Sequence, residues 1–406
     1  MNIAKLLTIA TLTVSTIAGP ALAEISGGVV KVGVLNDQSS LFADATGQGS
    51  VIAAKLAIED FQHEHPAIKV ELLIADHQNK ADVGTSIARR WRDVEGVDAI
   101  FDVPNSAVAL AVNELLRGSR VAYLPSSAAT TELTGRQCSP NTIQWVFDTY
   151  ALANSTGRAV TEAGGKTWFF VTTDFAFGAS LESEASKVIE ANGGKVIGAV
   201  KHPLNTSDFS SFLLTAHSSG AAVIGLANVG GDTINALKQA AEFGIGRTDK
   251  QRVAALLIFI NDVHALGLEA AQGLLLTTAF YWDFNDTTRA WSHRFAQQSG
   301  GKMPNMNHAG VYSSVRAYLE LVAENNSDDG PLVISAMKRA DLKDPLFANL
   351  KIRQDGRAVH DMYLARVKRP SESKAPWDYY EILSTIPAQQ AFKPLRDGNC
   401  SLVRDN

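Results

Sequence analysis

At 406 residues the chain is too long for one ordinary hydrophobic core and about the size of two domains. Hydrophobic residues at 46% and charged residues at 19% describe an ordinary globular composition. The formal charge of −5, with no basic block, argues against a nucleic-acid binder, which needs a clustered positive surface.

The N-terminus reads as an export leader. Lys5 supplies positive charge, residues 6–18 are apolar and small, and Ala21-Leu22-Ala23 is a cleavage pattern, so the exported chain is expected to start at Glu24. No later stretch reaches the roughly 20 apolar residues of a membrane span. No Cys follows the cleavage pattern, so no lipid anchor is expected. The two cysteines, Cys138 and Cys400, would form a disulfide in an oxidising compartment and tie the tail to the middle of the chain; two unpaired thiols are the alternative. Neither has the neighbouring Cys or His of a zinc site.

From residue 29, β-like and helical runs alternate. Strands are expected at 29–35, 68–75, 97–103 and 121–124, with helices at 49–61, 83–92 and 107–116. In the first helix Val51, Ala54, Ile58 and Phe61 share a face. Pro125 ends the fourth strand, and Ser126-Ser127 stand where another helix would open. Asn105-Ser106, after Pro104, repeat that design. Two such helix starts could grip one carboxylate, or they are two ordinary junctions with good caps.

Residues 144–150 break the rhythm and read as a crossing segment. It then restarts, with helices at 152–162, 181–191, 210–217 and 233–243 and strands at 167–171, 195–200, 221–226, 253–260 and 273–280. Beyond Tyr281-Trp282-Asp283 come helices at 287–298, 309–324 and 332–340, then antiparallel β through 359–367 and 377–383. Two βαβ halves predict two parallel sheets covered by helices, with the chain passing between lobes more than once.

Catalytic motifs are missing: there is no G-x-S-x-G elbow, phosphate loop or H-E-x-x-H pair. Gly47-Gln48-Gly49 lacks the third glycine of a dinucleotide fingerprint, and His63-Glu64-His65 reads as a solvated turn before Pro66. Ligands of open parallel sheets bind at the carboxyl ends of the strands. Those ends carry Phe42, Asn105-Ser106, Ser127, residues 174–178 (DFAFG), residues 228–232 (NVGGD) and Asn261-Asp262, with Tyr150 and Tyr281-Trp282 at the crossings. Aromatics with hydroxyls, amides and carboxylates suit a small-molecule cleft. Each has a plainer reading: Asp232 as a helix cap, Asp262 as a cap for the run from Val263, Tyr281 and Trp282 as core.

In order, these motifs resemble the type I periplasmic binding proteins, and within them the leucine/isoleucine/valine-binding branch of ABC-transporter receptors. The resemblance covers essentially the whole exported chain. It implies an α/β fold of two Rossmann-like lobes joined by a three-segment hinge. It implies that Asn105, Ser106, Ser127, Ala128 and Ala129 hold a ligand carboxylate, that Phe42 lines the first loop, and that Tyr150, Phe177 and Asn228 line the second lobe, with Tyr281 at the crossing a further expected site residue. Asp262 matches the acidic residue that meets an α-amino group in amino-acid binders. Two departures stand out. Ser40-Leu41 replace a usual Gly-Pro, and residues 125–129 read PSSAA where P-A-A-T is common.

The expected organisation is a leader at 1–23, a first lobe of 24–147 and 284–345, a second lobe of 148–283 and 346–395, and a tail at 396–406. The expected function is a periplasmic solute-binding protein of an ABC importer. It would be monomeric and cofactor-free, holding a small carboxylate ligand (amino acid, aromatic or other organic acid) and docking on permease subunits. A sensor with the same lobes is the alternative; an exported hydrolase would need a nucleophile–base pair that no motif supplies.

Overall fold

A computed structural model describes residues 25–246 and 251–404. The leader expected at 1–23 lies outside them. The first sheet contains β1 (Val29–Asn36), β2 (Lys69–Asp76), β3 (Ala99–Asp102) and β4 (Ala122–Leu124), parallel, in the order β2-β1-β3-β4. The second contains β5 (Thr167–Thr173), β6 (Lys195–His202), β7 (Val223–Ala227) and β8 (Arg252–Ala255), parallel, in the order β6-β5-β7-β8. The two orders match, so each lobe has a switch point at its first and third strands, where crossovers diverge and leave a crevice. β1, β3, β5 and β7 are buried along most of their length, and β-branched and aromatic residues fill them.

β9 (Leu275–Thr278), β12 (Met362–Val367) and β13 (Tyr380–Ile386) form an antiparallel sheet in the order β13-β12-β9; the short β10 (Lys351–Ile352) and β11 (Ala358–Val359) pair separately. The helix Met306–Asn325 returns to the first lobe. Arg316 pairs with Glu64 and Tyr312 donates to Asp60, both on the helix Gly47–Glu64. Cys138 and Cys400 are bonded, so the tail is tied to the first lobe across 262 residues of sequence.

The crossing segment at 144–150 is held by a buried cation. The Arg357 guanidinium donates to the carbonyls of Trp145 (2.7 Å) and Phe147 (3.1 Å), and its Nε to Ala358 O (2.9 Å). Phe392 covers it at 4.5 Å, and burial lowers its pKa to about 10. A fully buried guanidinium needs most of its donors satisfied, and these carbonyls do that while tying residues 145–147 to residues 357–358.

Three expectations need correction. No helix opens at Ser126-Ser127. The crossing segment consumes that backbone instead: Trp145 N donates to Pro125 O, Val146 N to Ser126 O, and the Gln144 amide to Ala128 O and Thr130 O. The strand expected at 253–260 stops at Ala255, because the Asp262 carboxylate takes the Phe259 N–H and starts the helix Ile260–Leu266. The strand expected at 359–367 is broken between β11 and β12, where His360 turns inward to the Val146 carbonyl.

Candidate functional site between the lobes

The carboxyl ends of the central strands face each other across a thin slot with a cavity volume of about 20 Å³. Its first-lobe wall is Phe42, Ala45, Thr46, Pro104, Ser127 and Ala129. Opposite stand Phe175, Phe177, Val229, Leu257 and Phe259, with Phe147 at the crossing and Asn307 at the head of its helix. The lobes touch at its rim. A Cβ on Gly230, whose φ is +62°, would lie 3.1 Å from the Leu41 carbonyl, so glycine is needed there twice over. Asn305 bridges the lobes too, donating to Ala45 O (2.9 Å) and Asn261 Oδ1 (2.7 Å).

The slot is apolar, with five phenylalanines; Phe175–Phe177 centroids lie 5.9 Å apart and Phe147–Phe259 6.2 Å. No charged side chain lines it. Its polar lining is Thr46, Ser127 and Asn307. Thr46 donates to Phe42 O, and Ser127 to the Asp102 carboxylate at 2.5 Å. Burial raises the Asp102 pKa against its hydrogen bonds from Ser127 and Asn36, and no cation compensates. Asp102 (φ +77°) and Val103 (φ +50°) both adopt left-handed backbone. For a β-branched residue that is strained, on the order of 1–3 kcal/mol. The strain sits directly under Pro104 and Ser127. Beside them the Ala128 and Ala129 N–H groups donate to no group among the described residues.

Of the residues expected from sequence, Phe42, Ser127, Ala129 and Phe177 line the slot. Ala128 is buried just behind it. Asn105 caps its helix, accepting from Ala107 N and Val108 N, as the plainer reading had it; Ser106 is buried in the first turn. Asn228 is turned away, accepting from Thr233 Oγ1 (2.8 Å) and facing His202. Tyr281 lies behind Phe259 and donates to Asp378. Tyr150 sits in an outer depression beside Lys393. Asp262 is a helix cap, buried off the slot lining, and burial pushes its carboxyl up to about 7. Asp232 is not the cap expected. It lies inside the first turn of the helix Gly231–Glu242, accepts from Asn205 N, and is raised to about 6 by burial.

Sequence reading missed Thr46, Phe147, Leu257, Phe259 and Asn307, and within its noted runs it did not single out Phe175 and Val229. Val229 adjoins the expected Asn228, and Phe175 lies inside the noted DFAFG run. Leu257 and Phe259 looked like strand interior. For Asn307 the sequence carries no signal.

Comparison with known proteins agrees with this architecture. The periplasmic binding protein family model matches residues 29–374. A periplasmic binding protein of Burkholderia mallei is 47% identical, with a TM-score of 0.89 over 93% of this chain and all of that one. A branched-chain amino acid ABC-transporter periplasmic ligand-binding protein of Burkholderia xenovorans is 40% identical, with a TM-score of 0.82 over 92% of this chain and 99% of that one. A solute-binding protein of Rhodopseudomonas palustris, solved with benzoate, shares the fold at 20% identity, with a TM-score of 0.78 over 89% of this chain and 97% of that one. Among curated proteins, Leu/Ile/Val-binding protein homolog 6 of Brucella melitensis is 26% identical over 76% of this chain and 80% of its own length. The family and these relatives are binding proteins, and among the described residues no helix is long and apolar enough to cross a membrane. The chain therefore belongs to the type I periplasmic binding proteins, in the branch named for leucine, isoleucine and valine binding.

Proposed function

We propose that this protein captures a small aromatic carboxylic acid for an ABC importer, in the slot between its lobes. One observation carries the reading: five phenylalanines line the slot and no charged side chain does. An α-ammonium group has three N–H donors and a full charge, and burying it without an anionic partner is costly. Asp262, the acidic residue expected for that role, is spent on the Phe259 N–H. A carboxylate is better provided for. The free Ala128 and Ala129 N–H groups offer the donors such a group needs. The slot is thin, which favours a planar body over a branched one. Benzoate, 3,4-dihydroxybenzoate and 4-hydroxybenzoate in complexes of distant relatives have that shape.

The lobe boundaries we propose follow the sheets: a first lobe of residues 24–147 and 284–345, and a second of 148–283 and 346–395. Ligand enters when the lobes part about the segments tied by Arg357 and is held when they close. The closed form then docks on membrane permease subunits. Thermal unfolding tests the ligand class. Benzoate at about 100 times its dissociation constant should add about 2.7 kcal/mol and raise Tm by a few degrees, while leucine should leave Tm unmoved. A rise with leucine and none with benzoate would sink this reading.

A further inference from the structure

We infer that Asn307 selects ligands carrying a neutral hydrogen-bond donor besides their carboxylate, which makes the preferred ligand a hydroxylated aromatic acid. The inference rests on the aromatic-acid reading above and goes further, naming the substituent and the residue that reads it.

Asn307 is 1% exposed and lines the slot. Its amide nitrogen donates to Ala45 O at 3.3 Å, whereas Oδ1 has no partner. Turning the amide over would set oxygen against the Ala45 carbonyl, so the neighbouring acceptor fixes which end stays free. The residue is also held in place. Its backbone N–H donates to Asn305 Oδ1 (2.8 Å), and the Asn305 amide grips both lobes. The two hydroxyl protons on the lining are already committed, Thr46 to Phe42 O and Ser127 to Asp102. The slot lining thus includes an unpaired acceptor. A buried amide oxygen without a donor is unfavourable. A neutral hydroxyl has one proton to give and no charge to desolvate, so it satisfies Oδ1 where an ammonium could not be satisfied.

Titration calorimetry of the full exported chain with benzoate and its three monohydroxy isomers tests this. At least one isomer should bind the wild type about tenfold more tightly than benzoate, the cost of leaving one buried acceptor unpaired. Asn307→Leu should remove that advantage, so that on the variant the favoured isomer binds within about twofold of benzoate. If every isomer binds no better than benzoate, or Asn307→Leu keeps the preference, the inference is overturned while the aromatic-acid reading stands. If neither benzoate nor any isomer binds, the aromatic-acid reading falls and takes this inference with it. The wild-type series decides the matter even if Asn307→Leu does not fold.

Discussion

The two walls of the slot are made from equivalent strand ends and built in opposite ways. On the first-lobe side, polar groups reach the lining or stand directly behind it. Ser127 is backed by Asp102, which is backed by Asn36, under a backbone that turns left-handed at Asp102 and Val103. On the second-lobe side the polar groups point away. Asn228, Asp232 and Asp262 hold their own loops through Thr233, Asn205 and Phe259, and the lining is left to phenylalanine, valine and leucine. One wall can orient a ligand; the other can only cover it. That division suits the hinge closure we propose, because an apolar cover would leave few hydrogen bonds to break if the lobes part.

If the second wall's acids are purely architectural, Asp262 should matter to stability and not to the ligand. Its carboxyl is held near 7, chiefly by burial, against 3.8 as the ordinary value. The unfolded chain therefore gives up this proton at a lower pH than the folded one. Its contribution is fully present below pH 3.8 and is lost as pH rises through 7. At about 1.4 kcal/mol per unit, Asp262→Asn should gain roughly 3–4 kcal/mol on the wild type between pH 4 and pH 8. Denaturant unfolding at the two pH values measures it, and the wild-type subtraction cancels the other titrating groups. Unchanged ligand affinity at pH 7 would sharpen the contrast between the walls. A large loss of affinity would return Asp262 to the site.

The cover itself is tested at Phe259, whose ring packs towards Phe147 and separates the slot from Tyr281. Phe259→Ala removes apolar contact made only in the closed form, so ligand affinity should fall by about 2 kcal/mol, roughly thirtyfold. The loss should lie mainly in the dissociation rate, which stopped-flow fluorescence would show. A loss confined to association would mean that this wall steers the ligand instead of covering it.

The same asymmetry explains what the sequence could disclose. Strand and helix order was legible because hydrophobic period and caps act locally: Asn105 reads as a cap and is one. Phe42, Ser127 and Phe177 were legible because strand ends and their loops can be counted along the chain. What failed was facing. Asn228 and Val229 are adjacent, and only the turn at Gly230 decides which one enters the slot. Ser126-Ser127 looked like a helix start because local capping chemistry favours one. The competitor for that backbone was the crossing segment, together with Gln144, and a hinge passage leaves no local signature. Arg357 was invisible for the same reason: the two crossing-segment carbonyls it holds lie more than 200 residues away.

The smallest expected effect is on the polar wall, and it separates two roles that the geometry gives Ser127. Its hydroxyl proton goes to Asp102, so towards the slot the side chain offers only lone pairs, and a ligand carboxylate would lean on the Ala128 and Ala129 N–H groups instead. Ser127→Ala should then weaken benzoate by only about 1 kcal/mol, some fivefold, through loosening of the turn. It should also leave Asp102 short of a hydrogen bond that favours its ionised form, raising that carboxyl further. The loss in affinity would consequently vary little with pH if Asp102 stays neutral in both proteins. If instead the Ser127 proton turns to the ligand on binding, Asp102 must hold its own proton to allow it. Binding would then weaken as pH rises in the wild type and not in Ser127→Ala. Calorimetric titrations of both proteins with benzoate at pH 5.5 and 8 distinguish a backbone cradle from a proton-linked one.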